Sequence, residues 1–137
     1  MGNFALSGVL AYVRGTNLDT GDNLYHMMPI NAKLTLEHTR GDWSSAFSFQ
    51  AVDAKKDLQQ VRNELGSAGY ALLNVRSGYQ WYLNEKASLR LDGGVDNLAN
   101  RNYVLPLGGR YWIGDKTGFS AVPGMGRSVY GGLTFKF

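Results

Sequence analysis

Six segments of this chain alternate apolar and polar residues with a period of two, and no other sequence feature restricts the fold as strongly. At the C-terminus, positions 129, 131, 133, 135 and 137 carry apolar residues or glycine, while the alternate positions include Ser128, Thr134 and Lys136. Successive side chains of a β-strand point to opposite faces, so the pattern predicts strands rather than amphipathic helices. We expect a sheet with one apolar and one polar face.

The other five segments repeat this alternation, each over about 10 to 14 residues. The segment 70–83 is the clearest, and Ser77 is the exception on its apolar side. The apolar positions of the five segments are Phe4, Leu6, Leu10 and Tyr12; Leu34 and Leu36; Trp43, Phe47, Phe49 and Ala51; Ala71, Leu73, Val75, Tyr79, Trp81 and Leu83; and Ala87, Leu89, Leu91 and Val95.

The connections alternate between long and short. Residues 15–28, 54–69 and 99–126 form long connections, with room for a short helical turn around 55–64, whereas 40–42 and 84–86 are short turns. Outer-membrane barrels have short periplasmic turns and long extracellular loops. The alternation therefore predicts a direction, with the last strand descending from the cell surface to the periplasm.

Composition excludes several classes of protein. The chain has no cysteine, so disulfide frameworks and thiolate metal sites are excluded, and its 14 basic and 11 acidic residues are scattered, unlike the basic patch of a nucleic-acid binder. No apolar run reaches the roughly 20 residues of a transmembrane helix. The first residues do not resemble a secretory signal, so we expect any export signal to lie elsewhere.

The two faces favour a membrane barrel over a soluble one. The polar face is rich in Ser, Gly, Asn and Tyr and carries paired opposite charges such as Arg90 and Asp92, which suits a wet lumen. Aromatic residues gather near the short turns, where an interfacial girdle would lie: Trp43, Tyr79, Trp81 and Phe137.

The predicted fold is all-β, an antiparallel up-and-down transmembrane β-barrel segment of about six strands in the bacterial outer membrane. Membrane barrels close at eight or more strands, so six strands are incomplete as a barrel.

Two stretches resemble a known family. Residues 94–103, GVDNLANRNY, followed by LPLGG at 105–109, resemble the "G-x-x-N-L-x-x-x-x-Y" pattern in the penultimate strand of TonB-dependent receptors. Residues 123–130, PGMGRSVY, are similar to the family's "P-G-R-S" entry to the last strand, and Phe137 resembles the terminal signature read by the barrel-assembly machinery. The resemblance covers nearly the whole chain, which would be the C-terminal part of such a receptor. The family's signal, TonB-contacting box, plug domain and N-terminal strands have no counterpart in residues 1–137.

The resemblance implies a function without covalent chemistry and without a cofactor. A receptor of this kind imports an iron-siderophore or other metal chelate, and this segment would supply barrel wall and extracellular loops, with membrane lipid, the plug and the TonB complex as partners. An alternative is a self-standing small barrel, a pore or adhesin anchor, that closes by oligomerisation. A soluble ligand-binding barrel ranks last, and the sequence does not name the ligand.

Candidate site residues fall into two groups. In the extracellular loops, aromatic and cationic side chains could bind an anionic chelate: Tyr25, His26, Arg110, Tyr111 and Trp112. On the polar face, charged residues could contact the plug or pair with one another across the strands: Lys33, Arg76, Arg90, Asp92 and Asp96.

The run His26-Met27-Met28 could offer imidazole and thioether ligands to a soft metal such as copper, although packing at a loop-to-strand junction is the favoured explanation. His38 and Asp42 flank a short turn and do not indicate a hydrolase. The tripeptide at 40–42 matches an adhesion motif, but Gly and Asp are also the residues that a tight turn requires.

Overall fold

The chain forms one open antiparallel sheet. The computed structural model describes residues 2–25, 27–58, 65–108, 110–112 and 119–137. Its strands are β1 (Asn3–Ala11), β2 (Asn31–Arg40), β3 (Trp43–Val52), β4 (Tyr70–Tyr82), β5 (Ser88–Asp96), β6 (Arg110–Trp112), β7 (Phe119–Ala121) and β8 (Ser128–Lys136). Six of them follow the order β1-β2-β3-β4-β5-β8, with β1 and β8 at the edges. The predicted six-stranded, up-and-down, incomplete barrel wall is confirmed as a fold.

The connections confirm the alternation of long and short. Gly41 adopts a left-handed conformation with φ of 58° in the turn between β2 and β3, where a side chain would be strained. In the turn between β4 and β5, the side-chain oxygen of Asn84 accepts hydrogen bonds from the amides of Lys86 and Ala87 at 2.9 and 2.8 Å. Both short turns lie at the same end of the strands, which we call the short-turn end. The opposite end of the strands, where the long connections lie, is the long-loop end.

Two features of the long connections were not predicted. Strands β6 and β7 pair as a small separate hairpin within the connection between β5 and β8. The helical turn expected around 55–64 falls partly outside the described residues, and at Lys55 the chain instead forms an isolated antiparallel bridge with Ser67.

The register of the strands gathers the apolar residues into rows. One row crosses the whole sheet, each residue being directly opposite the next: Leu6, Leu36, Phe47, Val75, Val95 and Val129. A slip of one residue in any strand would turn its apolar side chains to the other face. The rows form an apolar face whose side chains are largely exposed; the exposed fractions of Leu6 and Val129 are 73% and 77%.

The aromatic residues gather at the short-turn end of this apolar face. Trp43 lies opposite Tyr79, whose ring centroid is 4.7 Å from that of Trp81. Trp81 lies opposite Leu89, which in turn lies opposite Phe135. The position matches the predicted interfacial girdle. None of the described segments forms a helix of the length and apolar character needed to cross a membrane.

Little of the sheet is buried. The core of the described residues is one cluster on the polar face near the long-loop end, made of Val52, Tyr70 and Leu72, with Met28 and Tyr103 packed against it. A single-layer sheet has no second layer to cover its other face. The stability of the fold therefore depends on whatever covers the apolar face.

Because the sequence predicts lipid at the apolar face, introducing a charged residue should destabilise the fold on that face and have little effect on the polar face. Phe47→Lys should destabilise the membrane-inserted polypeptide by about 2–4 kcal/mol, the cost of a lysine at the bilayer midplane. Its neighbour on the polar face supplies the control, and Ser48→Lys should change stability by less than about 1 kcal/mol. Urea unfolding from lipid vesicles measures both variants, and equal effects would contradict the assignment of the faces.

Candidate functional site

Charged and hydroxyl side chains of the polar face surround a recess in the middle of the sheet. It has a volume of about 510 Å³ and reaches from β2 to β8. We call it the polar recess, and its principal lining residues are Glu37, Ser44, Arg76, Arg90, Asp92 and Tyr130. Three of the five predicted residues of this face, Arg76, Arg90 and Asp92, are thereby brought together.

Arg90 and Asp92 form the tightest charged contact in the polar recess. The Nε atom of Arg90 donates to both carboxylate oxygens of Asp92 at 2.9 and 3.0 Å, and the Nη2 atom lies 2.8 Å from Oδ1. Nη2 also donates to the hydroxyl of Ser44 at 3.1 Å. The predicted pairing of these two residues is confirmed, and the bond to Ser44 holds the guanidinium against the wall.

Arg76 pairs with a partner that the sequence did not indicate. Its Nη2 atom donates to Oε1 of Glu37 at 3.1 Å, although these residues lie on β4 and β2, with β3 between them. The register places Ala46 in the same row between the two, so a small side chain lies beneath the ion pair. The polar recess therefore contains two cations and two anions in pairs, a balanced surface rather than a site for one sign of charge.

Two glycines allow the long side chains to lie flat on the sheet. A Cβ atom at Gly78 would collide with the carboxylate of Asp92, and one at Gly94 would collide with the ring of Tyr130. Both positions must therefore be glycine for these side chains to fold down, as expected where another group approaches the backbone closely. The flattened side chains leave the space of the polar recess open.

The remaining two predicted residues of the polar face lie nearer the long-loop end. Lys33 and Asp96 line a second, smaller cavity of about 200 Å³, together with Asn74, Arg76 and Tyr130. The five predicted residues thus occupy adjoining cavities of one face. Whether they contact a plug is not tested by this arrangement and stays a prediction.

At the long-loop end, Asn97 ties the last long connection to the sheet. The residue is buried, adopts a φ of 52°, and its side-chain amide donates to the carbonyls of Arg101 and Met125 at 2.9 and 3.2 Å. Its side-chain oxygen accepts from the amide of Arg101 at 2.8 Å, and its own amide donates to Oδ1 of Asn74 at 2.9 Å. Asn is among the few residues that tolerate a positive φ. Asn97 therefore both adopts the backbone conformation of the turn and supplies the side-chain hydrogen bonds that hold the loop.

An aromatic contact extends this attachment over the polar face. The ring centroids of Tyr70 and Tyr103 lie 4.6 Å apart, and the backbone of Gly124 passes directly beneath the ring of Tyr103. The amide of Gly124 also donates to the carbonyl of Tyr103 at 2.8 Å. The first and last parts of the long connection are therefore packed against each other and against β4.

Lys55 joins two of the long connections and was not among the predicted residues. Its side chain is only 4% exposed, and its Nζ atom donates to the carbonyl of Pro106 at 3.4 Å. A lysine in a polar loop is ordinarily solvated, so the sequence carried no signal for this burial. The bond links the connection after β3 to the connection after β5.

Met27 and Met28 line a cavity of about 290 Å³ at the long-loop end. We call it the loop cavity, and its other lining residues include Tyr12, Pro29, Asp53, Lys55 and Asp57. Met28 also packs against the buried cluster of the polar face, as the packing interpretation expects. Within the described part of the chain, no group of three or more His, Cys, Asp or Glu residues could hold a metal ion.

The other predicted loop residues are only partly described. His26 lies outside the described residues, so the run His26-Met27-Met28 is seen only at its two methionines. Tyr25 lies half-buried in a turn in the connection between β1 and β2. Arg110, Tyr111 and Trp112 make up strand β6, and their side chains lie outside the described part. Their role in ligand binding stays a prediction.

Comparisons with known proteins identify a structural counterpart for the sheet. No protein-family model and no curated protein matches the sequence. Among solved structures, a chain described as "Copper transporter OprC" matches with a TM-score of 0.82 and 26% sequence identity over 100% of this chain. The sheet has the fold of one segment of OprC. The chain spans 22% of the length of OprC, so OprC contains a much larger structure around its equivalent of these strands.

The attachment at Asn97 generates a prediction about the last long connection. Asn97→Gly keeps a residue that tolerates the positive φ but removes the side-chain amide, leaving the carbonyls of Arg101 and Met125 without this donor. We expect faster hydrogen exchange at the amide of Arg101 and unchanged exchange in the centre of β4. Asn102→Gly, at an exposed position, is the control. Unchanged exchange at Arg101 in Asn97→Gly would show that the backbone alone holds the loop.

The two ion pairs of the polar recess should differ in strength. Side chains of Arg90 and Asp92 are 38% and 41% exposed, against 64% and 51% for Arg76 and Glu37, and Arg90 has the additional bond to Ser44. Exposed pairs contribute about 0.2–1 kcal/mol. Double-mutant cycles with Gln and Asn substitutions should place Arg90–Asp92 at the upper end of this range and Arg76–Glu37 at the lower. The reverse order would contradict the geometry.

Proposed function

We propose that this sheet is the C-terminal part of the barrel wall of an outer-membrane TonB-dependent transporter that imports a metal. One observation carries the proposal: the whole chain, from its first strand to its last, matches a segment of a copper transporter in fold and in a quarter of its residues. The motifs at 94–103 and 123–130, which resemble TonB-dependent receptors, point to the same family independently.

The two faces of the sheet fit this placement. The apolar face, with its girdle of Trp43, Tyr79 and Trp81, faces lipid, and the polar face lines a wet lumen. Strands β1 and β8 are open edges, and backbone groups at an edge cannot remain unpaired in lipid. In the transporter, both edges pair with the strands that complete the barrel.

The polar recess faces the interior, where the plug domain of such a transporter lies. Its two ion pairs present both donors and acceptors, and the glycines beneath them keep the wall open over about 510 Å³. A balanced, hydrogen-bonding surface suits contact with a polar domain that must be held and released, since exposed ion pairs contribute little individually. Arg76, Arg90, Asp92, Lys33 and Asp96 are the residues that carry this role.

For the cargo we favour copper over an iron-siderophore. The support is twofold: the name of the similar transporter, and the thioethers of Met27 and Met28 in the loop cavity at the end that faces the outside. Thioethers are soft ligands that select copper, whereas siderophore iron arrives already enclosed by oxygen ligands. Asp53 and Asp57 of the same cavity are balanced by Lys55 and Lys56, so the thioethers rather than charge carry this choice.

Copper uptake tests the cargo. Leucine has nearly the volume of methionine and no sulfur, so Met27→Leu with Met28→Leu preserves packing within about 1.5 kcal/mol while removing both thioethers. In the full-length polypeptide that contains this sheet, we expect copper uptake at limiting copper to fall by roughly tenfold, equivalent to about 1.4 kcal/mol of binding.

Met125→Leu, an exposed methionine outside the loop cavity, is the matched control and should leave uptake unchanged. Uptake of a ferric siderophore that is unaffected by copper would overturn the choice of cargo. Absence of the polypeptide from the outer-membrane fraction, or absence of heat-dependent electrophoretic mobility, would overturn the transporter itself.

A further inference from the structure

The apolar face contains a groove that the barrel wall does not explain. It lies near the short-turn end, crosses from β3 to β5, and has a volume of about 410 Å³. We call it the outer groove. Trp43, Tyr79 and Leu91 lie in one row and form one side of it, and Ser77 and Gly93 of the neighbouring row form its floor. Apolar atoms make up most of its lining, and its size falls within the roughly 300–1,000 Å³ that small-molecule sites occupy.

Trp43 is held at the side of this groove by a hydrogen bond. Its indole Nε1 donates to the hydroxyl of Ser77 at 2.7 Å, and that hydroxyl donates to the carbonyl of Ser44 at 3.3 Å. The bond explains why a serine occurs on the apolar face, the one exception in its segment. It satisfies the indole N–H without water and fixes the ring as a rigid wall.

Neither the backbone conformation nor the neighbouring atoms of the sheet require a glycine at position 93. A Cβ atom there would meet only the carbonyl oxygen of Tyr130, at an ordinary contact distance of 3.5 Å, and Gly93 is not among the residues with a positive φ. Gly78 and Gly94 differ, because neighbouring side chains fill the space above them. Glycine weakens a strand and often marks close approach of another group, so the space above Gly93 is available to a group from outside the chain.

One end of the groove lies beside an arginine. Arg40 is the last residue of β2, is exposed, and lies directly opposite Trp43 at the short-turn end. Its alternation with Leu36 and Leu34 places it on the apolar face. A guanidinium at the short-turn end of the apolar face, level with an aromatic girdle, lies where lipid headgroups are found and can bind phosphate bidentately.

We propose that the outer groove binds one acyl chain of an anionic glycerophospholipid whose phosphate pairs with Arg40. The apolar lining fits the chain, the exposed guanidinium fits the phosphate, and the short-turn end is the side of the membrane whose leaflet consists of phospholipid. Strands of membrane barrels are tilted by about 35–45°, so a groove that crosses the strands is inclined to the membrane and leads from the headgroup level into the hydrocarbon. The proposal rests on the proposed function in requiring that the apolar face contacts lipid and that the short-turn end lies at the periplasmic leaflet.

Native mass spectrometry of the full-length polypeptide, titrated with phosphatidylglycerol after delipidation, tests the proposal. We expect one phosphatidylglycerol to remain bound after the others are stripped. Gly93→Leu fills the groove from β5, and Ser77→Leu fills it from β4; each should lower the affinity for that lipid at least tenfold. Arg40→Gln should weaken it by roughly tenfold through loss of a charged hydrogen bond.

Matched controls separate the groove from general lipid contact. Ala71→Leu adds bulk to the same face at the long-loop end, and Arg101→Gln removes an arginine there; both should retain the bound lipid. Retention of that lipid in a folded Gly93→Leu or Ser77→Leu variant would overturn the proposal. So would a groove occupied by a second copy of the polypeptide, seen as a dimer that binds no lipid and that these variants dissociate. Copper uptake, measured on the same variants, should be unchanged, so failure of the lipid site and failure of transport are seen separately.

Discussion

The hydrogen-bonded register between neighbouring strands is the constraint on which the rest of the structure depends. Each strand pairs with the next so that apolar residues lie opposite apolar residues, from Leu6 at one edge of the sheet to Val129 at the other. Because side chains alternate, the same register also brings Glu37, Ala46 and Arg76 into one row of the opposite face. One set of backbone bonds therefore assembles both the apolar face and the charged recess.

The absence of a second layer explains how the polar face is used. With one layer, few side chains can be buried, and the buried cluster of the described residues lies where the long connections fold back against the sheet. Asn97, Tyr103 and Lys55 make those attachments, and each satisfies backbone groups that would otherwise face solvent or one another. The described parts of the long connections are thus attached to the sheet.

Small residues serve different purposes on the two faces. On the polar face, the side chains of Asp92 and Tyr130 fill the space above Gly78 and Gly94. On the apolar face, no side chain fills the space above Gly93, which lines the outer groove together with the fixed indole of Trp43. The same residue type thus has its space filled on one face and left open on the other, and the contrast comes from neighbours that only the register brings close.

The sequence by itself determined the strands, the alternation of connections, the two faces and the pairing of Arg90 with Asp92, because these follow from local periodicity and from residues two apart on one strand. It also placed the charged residues of the polar face together. The tertiary structure alone decided the pairing of Arg76 with Glu37 across an intervening strand, the hairpin of β6 and β7, the burial of Lys55, the hydrogen bond that explains Ser77, and the groove above Gly93. Each of these depends on contacts between residues far apart in the chain, and periodicity carries no information about such contacts.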